Sequence, residues 1–576
     1  MTGVDWVVVA VYGALLVGVG LWQKRRSSGG VDDYFVSGRK LRWWVAGTSM
    51  VAASFASDTP LLVTSYVRKQ GIWGNWAWWG LGISTILTIF LFAPLWRRSE
   101  VMTEAELTEA RYAGRAASTL RGFKAVYWGL IYNCFQAGAW GITGLVAVTT
   151  VMTDLPRGYA ILVCAGLGGT YAIVAGLWGV VAADFVQFLL AIAGAVLLAV
   201  YAVGAAGGLG AVVAAVPPEQ TSLLPLRGQG LTFCLTYILV QWWAWKNTDG
   251  GGVLVQRMAA CRDEREAVYA TLWFNVAHYA VRCWPWVMVA LASIVLAPRA
   301  DPQQAYALMI RDHLPAGLRG LVVGWFFAEF MASLAGSMNW GGSLLVNDFY
   351  RRFVKRGATE SHYVAVSRAA TVLVVAGAVM TAFLSNDLVG AFEKVLGGTA
   401  AVGIVFAARW LWWRVNAWSE ISAMIASPLM TFVAVPLMAA AGVEFDPMRK
   451  LIFIIAGSLL PVALATFLAK PEDPMALEAF YRKVRPPGPG WGPIAARCPD
   501  VRPSMSLRRI GCYWALGVGA IYGMMYGIGS VLLLRPHGWA AIAGGLILLL
   551  ALIAALRHRA ASAGDSPAAS AGRGLV

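Results

Sequence analysis

Charge is what this chain has least of. Asp, Glu, Lys and Arg make up 13% of its 576 residues, against 59% apolar types; a soluble protein carries about a quarter charged residues. A large soluble surface cannot be kept wet by so few charges, so a cytosolic enzyme, a disordered chain and a small secreted domain are excluded. Histidine is rare, with five copies, and the seven cysteines (Cys134, Cys164, Cys234, Cys261, Cys283, Cys498 and Cys512) include no close pair. That leaves neither a CxxC metal site nor a disulfide framework. The chain also lacks HExxH, GxSxG and P-loop motifs, the reactive constellations that a membrane-embedded enzyme needs. The N-terminal apolar stretch has no basic residues before it and reads as a retained span rather than a cleaved signal.

What is present is apolar sequence in span-sized runs. Counting about 20 residues per span gives about fifteen, near 4–22, 43–66, 74–96, 125–151, 158–177, 180–205, 230–246, 269–297, 316–346, 364–385, 388–412, 419–442, 451–469, 510–534 and 538–556. The charge balance of +16 is concentrated in alternate loops, with Lys24 to Arg42, Arg97 to Lys124, Arg257 to Arg265, Arg351 to Arg356 and Lys470 to Arg509 as the basic clusters. The positive-inside bias places these loops in the cytoplasm, the N-terminus outside and the C-terminus inside, in a multi-pass cell inner (plasma) membrane protein. Arg68 and Lys69 are exceptions to the pattern. The Pro- and Arg-rich stretch 471–508 reads as a cytoplasmic linker with possible lipid contact, and the Ala/Ser/Gly tail after Arg559 reads as disordered.

Ionisable groups inside spans are costly and need a reason. Those singled out are Asp58, Asp184, Arg282, Glu329, Glu393 and Lys394, together with His278. Glu393 and Lys394 are adjacent on a helix and so need partners elsewhere. The 27 tryptophans, among them Trp76, Trp78, Trp79, Trp410, Trp412 and Trp413, read mostly as an interfacial belt.

Two spans are interrupted. In 43–66, small and hydroxyl residues surround Ser57, Asp58 and Pro60, and the proline is expected to free the Ala56 carbonyl four residues back. Irregular backbone at membrane depth is tolerated where it is buried in protein or lines a cavity, and freed carbonyls suit a hard cation such as sodium; a plain proline kink is the other reading. In 230–246 the run ends in Trp242, Trp243 and Trp245, and three consecutive glycines follow at 250–252. The second break falls five spans after the first, which is the pattern of two five-span inverted repeats. The three tryptophans are equally readable as solute-lining or as belt residues.

At this point the residues resemble the sodium:solute symporter family, which includes bacterial proline and sialic acid symporters and the sodium–glucose transporters. Five stretches carry the likeness: Asp33–Leu41, Ala52–Asp58, Ala175–Gln187, Met331–Tyr350 and Arg409–Asn416. Their order and spacing hold over roughly residues 5–470, and the chain is most similar to a bacterial branch with Asp-Thr-Pro after the break. The resemblance implies an all-α polytopic fold of leucine-transporter type. Its parts would be a first span and loop at 1–42, inverted repeats at 43–205 and 206–415, peripheral spans at 416–470, the linker 471–508, two last spans at 509–557 and a tail at 558–576.

The resemblance further implies sodium-coupled symport of a small polar organic solute by alternating access. Its partners would be that solute and the lipid bilayer, without nucleic acid, and sodium would be the co-transported ion. It places sodium ligands at the carbonyls of Ala52 and Phe55, the carbonyl of Glu329 and the groups at Ala332 and Ser333. The last three positions share one helix face. Asp184 corresponds to an ion-path residue; a helix-capping role is the other reading. Gln136, by position, faces the centre as a candidate solute contact, and Ser57 and Asp58 at the first break are candidate solute contacts too. The family has a hydroxyl pair where this chain has Ala332 and Ser333, and a small residue where it has Glu329. Glu329 can therefore replace a lost sodium ligand, carry a proton in a proton-coupled cycle, or pair with Arg282 or Lys394. A transporter-like solute sensor is the remaining class, which flux of labelled solute into vesicles separates from a carrier.

Overall fold

A computed structural model describes residues 1–24, 41–54, 56–101, 104–175, 180–503 and 505–564. It is helical, with no strand among the described residues. By length and composition alone, nine helices among the described residues can cross a membrane, or up to eleven if two bent pairs each count as one span. The four remaining expected spans are the broken ones at 43–66 and 230–246 and those described as the helices Gly3–Lys24 and Arg157–Ala175.

The elements that position the site are α1 (Gly3–Lys24), α2 (Trp43–Ala53), α3 (Thr59–Gln70), α4 (Ile72–Phe90), α5 (Phe92–Ser99), α6 (Glu104–Arg111) and α7 (Gly114–Thr153). Next come α8 (Arg157–Ala175), α9 (Val180–Ala205), α10 (residues 228–244), α11 (Val253–Ala260), α12 (Glu264–Leu296) and α13 (Leu318–Val354). The chain continues through α14 (Glu360–Leu384), α15 (Leu388–Gly398), α16 (Ala400–Leu411), α17 (Ala417–Ala440), α18 (Pro447–Leu468), α19 (Pro474–Val484), α20 (Leu507–Leu532) and α21 (Gly538–Gly564).

Polar residues in the loops start several of these helices. Asp263 accepts from the Glu266 N–H at 2.9 Å, and Asn416 and Ser419 cap each other reciprocally. Two helices cross where both lack a side chain: the Gly129 Cβ position on α7 is 2.9 Å from the Gly341 carbonyl on α13. Small residues at such a crossing let backbones approach closely, and Asn133 then donates to the Ser337 carbonyl at 2.6 Å. The outer ends of the two broken helices are also joined, since Leu41, just before α2, bridges Cys261, just after α11.

Three expectations change. The segment 471–508, expected as a linker, is folded: Leu477, Phe480, Tyr481 and Val484 of α19 are buried, and Trp491 stacks on Phe480 at 5.7 Å and donates to the Trp410 carbonyl at 2.8 Å. Trp76, Trp78, Trp79 and Trp410, expected in a lipid-facing belt, are buried in protein. Hydrogen bonds hold three of them inside, with Trp76 Nε1 donating to the Leu223 carbonyl and Trp78 Nε1 to Asn75, both at 2.9 Å, and Trp410 Nε1 to Asp249 at 2.8 Å, while Trp79 packs against the rings of Trp76, Trp78 and Trp284. Finally, α21 continues to Gly564, past the start of the expected tail, while residues 565–576 lie outside the described residues.

Candidate functional site

The first break separates α2 from α3 at residues 54–58. Pro60 lies in the first turn of α3, where its missing N–H costs nothing. The Ala56 carbonyl is therefore not freed by the proline: it accepts the Thr59 N–H at 3.1 Å. At the end of α2 the carbonyls of Val51, which also accepts the Ser54 N–H at 3.2 Å, and of Ser54 are both bonded by Arg282 of α12, through Nη1 at 3.1 Å and Nη2 at 2.8 Å. The same Nη2 lies 3.4 Å from His278 Nε2. This explains how a guanidinium is tolerated inside a span: it serves as the end cap of a half-helix, where cations are favoured.

Asp58 follows the break and is 5% exposed. Its Oδ2 has no hydrogen-bond partner, and its Cβ lies 2.9 Å from where a Gly144 side chain would begin. On α13, Glu329 and Ser333 share one face, with the Ser333 hydroxyl donating to Glu329 Oε1 at 3.4 Å. Glu329 lies within electrostatic reach of Arg282 and of Tyr12 on α1. Ala52 is buried in the last turn of α2, and Ala332 is half-buried. Phe55 lies outside the described residues, as does the side chain of Asp184 on α9. Of the other in-span charges, Glu393 finds a partner on another helix, Lys450 of α18, at 3.4 Å.

The second break runs from Trp245 to Gly252, between α10 and α11. It is pinned to α16 because Gly403 leaves room for the Trp245 carbonyl; a Cβ there would overlap that oxygen. Asp249, at the middle of the break, receives Arg409 Nη2 at 2.7 Å and Trp410 Nε1 at 2.8 Å, while its backbone carbonyl receives Trp96 Nε1 at 2.7 Å. Arg409 reaches Glu420 of α17 at 3.5 Å, and Glu420 pairs with Lys124 of α7 at 2.6 Å and with the Tyr112 hydroxyl at 2.6 Å. Two acids and two bases thus tie the break to three helices with their charges balanced. Arg409, Glu420 and Lys124 are 1%, 0% and 3% exposed, which makes this network sensitive to loss of either sign.

Two of the three tryptophans expected at this break do not converge on it. Trp242 packs on Trp514 of α20 at 5.3 Å, and the Trp243 indole is turned back to the Leu239 carbonyl at 2.8 Å. Gln136 is half-buried on α7, one turn beyond Tyr132. Trp245 does sit at the break, and the next residue, Lys246, extends over the rings of Tyr132 and Trp128 at 4.5 and 5.3 Å. The sequence reasoning passed over Asp249, Arg409, Glu420, Lys124 and Lys246. Arg409, Glu420 and Lys246 fall inside the expected spans 388–412, 419–442 and 230–246, so an unlisted charge within a span was the available signal.

The arrangement is that of known transporters. The profile of the sodium:solute symporter family ("Sodium:solute symporter family") matches residues 34–427. A sodium/glucose cotransporter of Vibrio parahaemolyticus is 25% identical over 464 residues, 74% of this chain and 83% of that one. A sodium/mannose cotransporter of Bos taurus is 27% identical over 420 residues, 65% and 68% of the two chains. A solved structure of a Na+-coupled sialic acid symporter, in a substrate-bound outward-open state, superposes with a TM-score of 0.60 at 18% identity, covering 82% of this chain and 99% of the other. That likeness establishes the leucine-transporter-type fold, with its inverted repeats and peripheral helices. The chain belongs to the sodium:solute symporter family, and is a multi-pass membrane transporter with sodium as its co-transported ion.

Proposed function

We propose that this protein moves a small polar organic solute across the membrane together with sodium, by alternating access about its two helix breaks. The observation that carries the reading is the interruption between α2 and α3, where backbone carbonyls leave the helical ladder inside the bundle. In this reading sodium is held by the carbonyls of Ala52 and Phe55, the carbonyl of Glu329 and the groups at Ala332 and Ser333. Arg282 supports it indirectly, by holding the carbonyls of Val51 and Ser54 at the end of α2. The Glu329 carboxylate, held beside Ser333, replaces the hydroxyl that position 332 lacks. One sodium moving through 100 mV yields about 2.3 kcal/mol, enough for useful accumulation of a neutral solute.

The test needs no solute. The purified protein is melted in sodium, lithium and potassium at matched ionic strength and several pH values. A ligand that binds only the folded state stabilises it by about 2.7 kcal/mol at one hundred times its Kd. Sodium-selective stabilisation that is lost in Ser333→Ala is the expected result. Indifference to sodium, with a pH-dependent shift abolished by Glu329→Gln, would transfer the coupling to protons.

A further inference from the structure

Lys246 stands apart from every other basic residue near the second break. Arg409 and Lys124 have carboxylate partners, and Arg111 donates through Nε and Nη2 to four backbone carbonyls, those of Arg409, Trp412, Trp413 and Val415. Lys246 has no carboxylate within 4.0 Å among the described residues. Glu104 acts on it through space from beside Gly251, without a direct ion pair. The ammonium rests instead over Tyr132 and Trp128. Aromatic faces stabilise a partly desolvated cation but do not neutralise it.

The break holds three buried donors without a protein partner, and one buried acceptor in the same condition, Asp249 Oδ1. Trp128 Nε1 and Trp245 Nε1 are buried and donate to no protein acceptor, and so is Gln241 Nε2, one turn before the break. An indole is a donor only and an ammonium is a donor only. A sugar hydroxyl brings a donor with each acceptor, so it satisfies such a set only in part. A carboxylate brings acceptors alone and matches an ammonium in charge. Its apolar remainder finds a wall in the Tyr132 and Trp128 rings.

Resting on the transport reading above, we infer that Lys246 is the solute-facing cation of this transporter and that the solute is a small organic acid, recognised by its carboxylate. Asp249 and Glu420 are matched by Arg409 and Lys124 in direct ion pairs, and Lys246 makes no direct ion pair among the described residues. A carboxylate solute carried with one sodium moves no net charge, so its accumulation follows the sodium gradient and not the membrane potential.

The full-length protein is melted in sodium with matched acid and neutral probes: glucuronate against glucose, gluconate against mannitol, lactate against glycerol. At least one acid is expected to raise the melting temperature where its neutral counterpart does not. Lys246→Gln is expected to weaken that acid at least tenfold while keeping the response to sodium, and Lys246→Arg to retain part of it. Equal stabilisation by the neutral partner, an acid response that survives Lys246→Gln, or no acid response anywhere in the panel overturns the inference. Should Lys246→Gln fail to fold, the acid-against-neutral comparison in the wild type decides alone. Loss of the sodium response in the wild type is a different failure and falls on the transport reading.

Discussion

At the scale of single residues, this membrane interior is organised by cations that answer specific oxygens. Arg282 closes a half-helix through Val51 and Ser54, and Arg409 joins Asp249 to Glu420. Removing one member of a buried pair leaves the other charge stranded, at a cost of about 3–5 kcal/mol. Arg409→Met is therefore expected to lower the melting temperature sharply, and more than Asp249→Asn does. In a double-mutant cycle the two are expected to couple by more than about 1 kcal/mol; additive effects would mean that the pair does not form in the membrane. The sequence shows that Arg409 and Glu420 lie within spans. It does not show their pairing, because Asp249 and Arg409 are 160 residues apart and meet only when the second break folds against α16.

At the scale of elements, composition hid one helix and local chemistry misplaced one break. The stretch 471–508 is rich in Pro and Arg, which reads as a linker. Beneath that composition, Leu477, Phe480, Tyr481 and Val484 stand at i, i+3, i+4 and i+7, the apolar stripe of a packed helix. The segment is locked under α16: Trp413 N–H donates to the Gly490 carbonyl at 3.1 Å, and a Cβ on Gly490 would overlap the Leu411 carbonyl. Glu472 clamps two chain segments at once, accepting from Ala113 and Ala417 N–H, each at 3.1 Å. Gly490→Val is expected to release this cap, seen as faster protease cleavage between 471 and 508 in detergent, with the wild type resistant. Equal cleavage of the two proteins would show that the cap is not held by that contact. As for the break, proline was legible in the sequence but its position in the turn was not. Whether Pro60 kinks a helix or starts one depends on where the preceding helix ends, and Arg282, a residue of another span, is what caps that end.

At the scale of the whole molecule, the apolar runs set the span pattern and the basic loops set its direction. Arg68 and Lys69 weakened the charge vote because they lie in a loop that should be poor in bases. The structure gives both a local task. Arg68 closes the end of α12 through the carbonyls of Ser293, Ala297, Pro298 and Ala300, and Lys69 pairs with Asp387 at 2.8 Å. Bases engaged in this way have a local structural reason for their position, so the remaining clusters carry the expectation of cytoplasmic odd-numbered loops. The orientation follows as a prediction. Six of the seven cysteines are buried and Cys512 is exposed, so Cys512→Ser supplies a background in which an introduced thiol reports alone. On intact cells a membrane-impermeant maleimide is expected to label Asp312→Cys, between α12 and α13, and to reach Arg482→Cys on α19 only after permeabilisation. The opposite pattern would turn the molecule over. It would then place the α19 cap and the buried Asp249–Arg409 network on the face where sodium enters, instead of the face where sodium and solute are released.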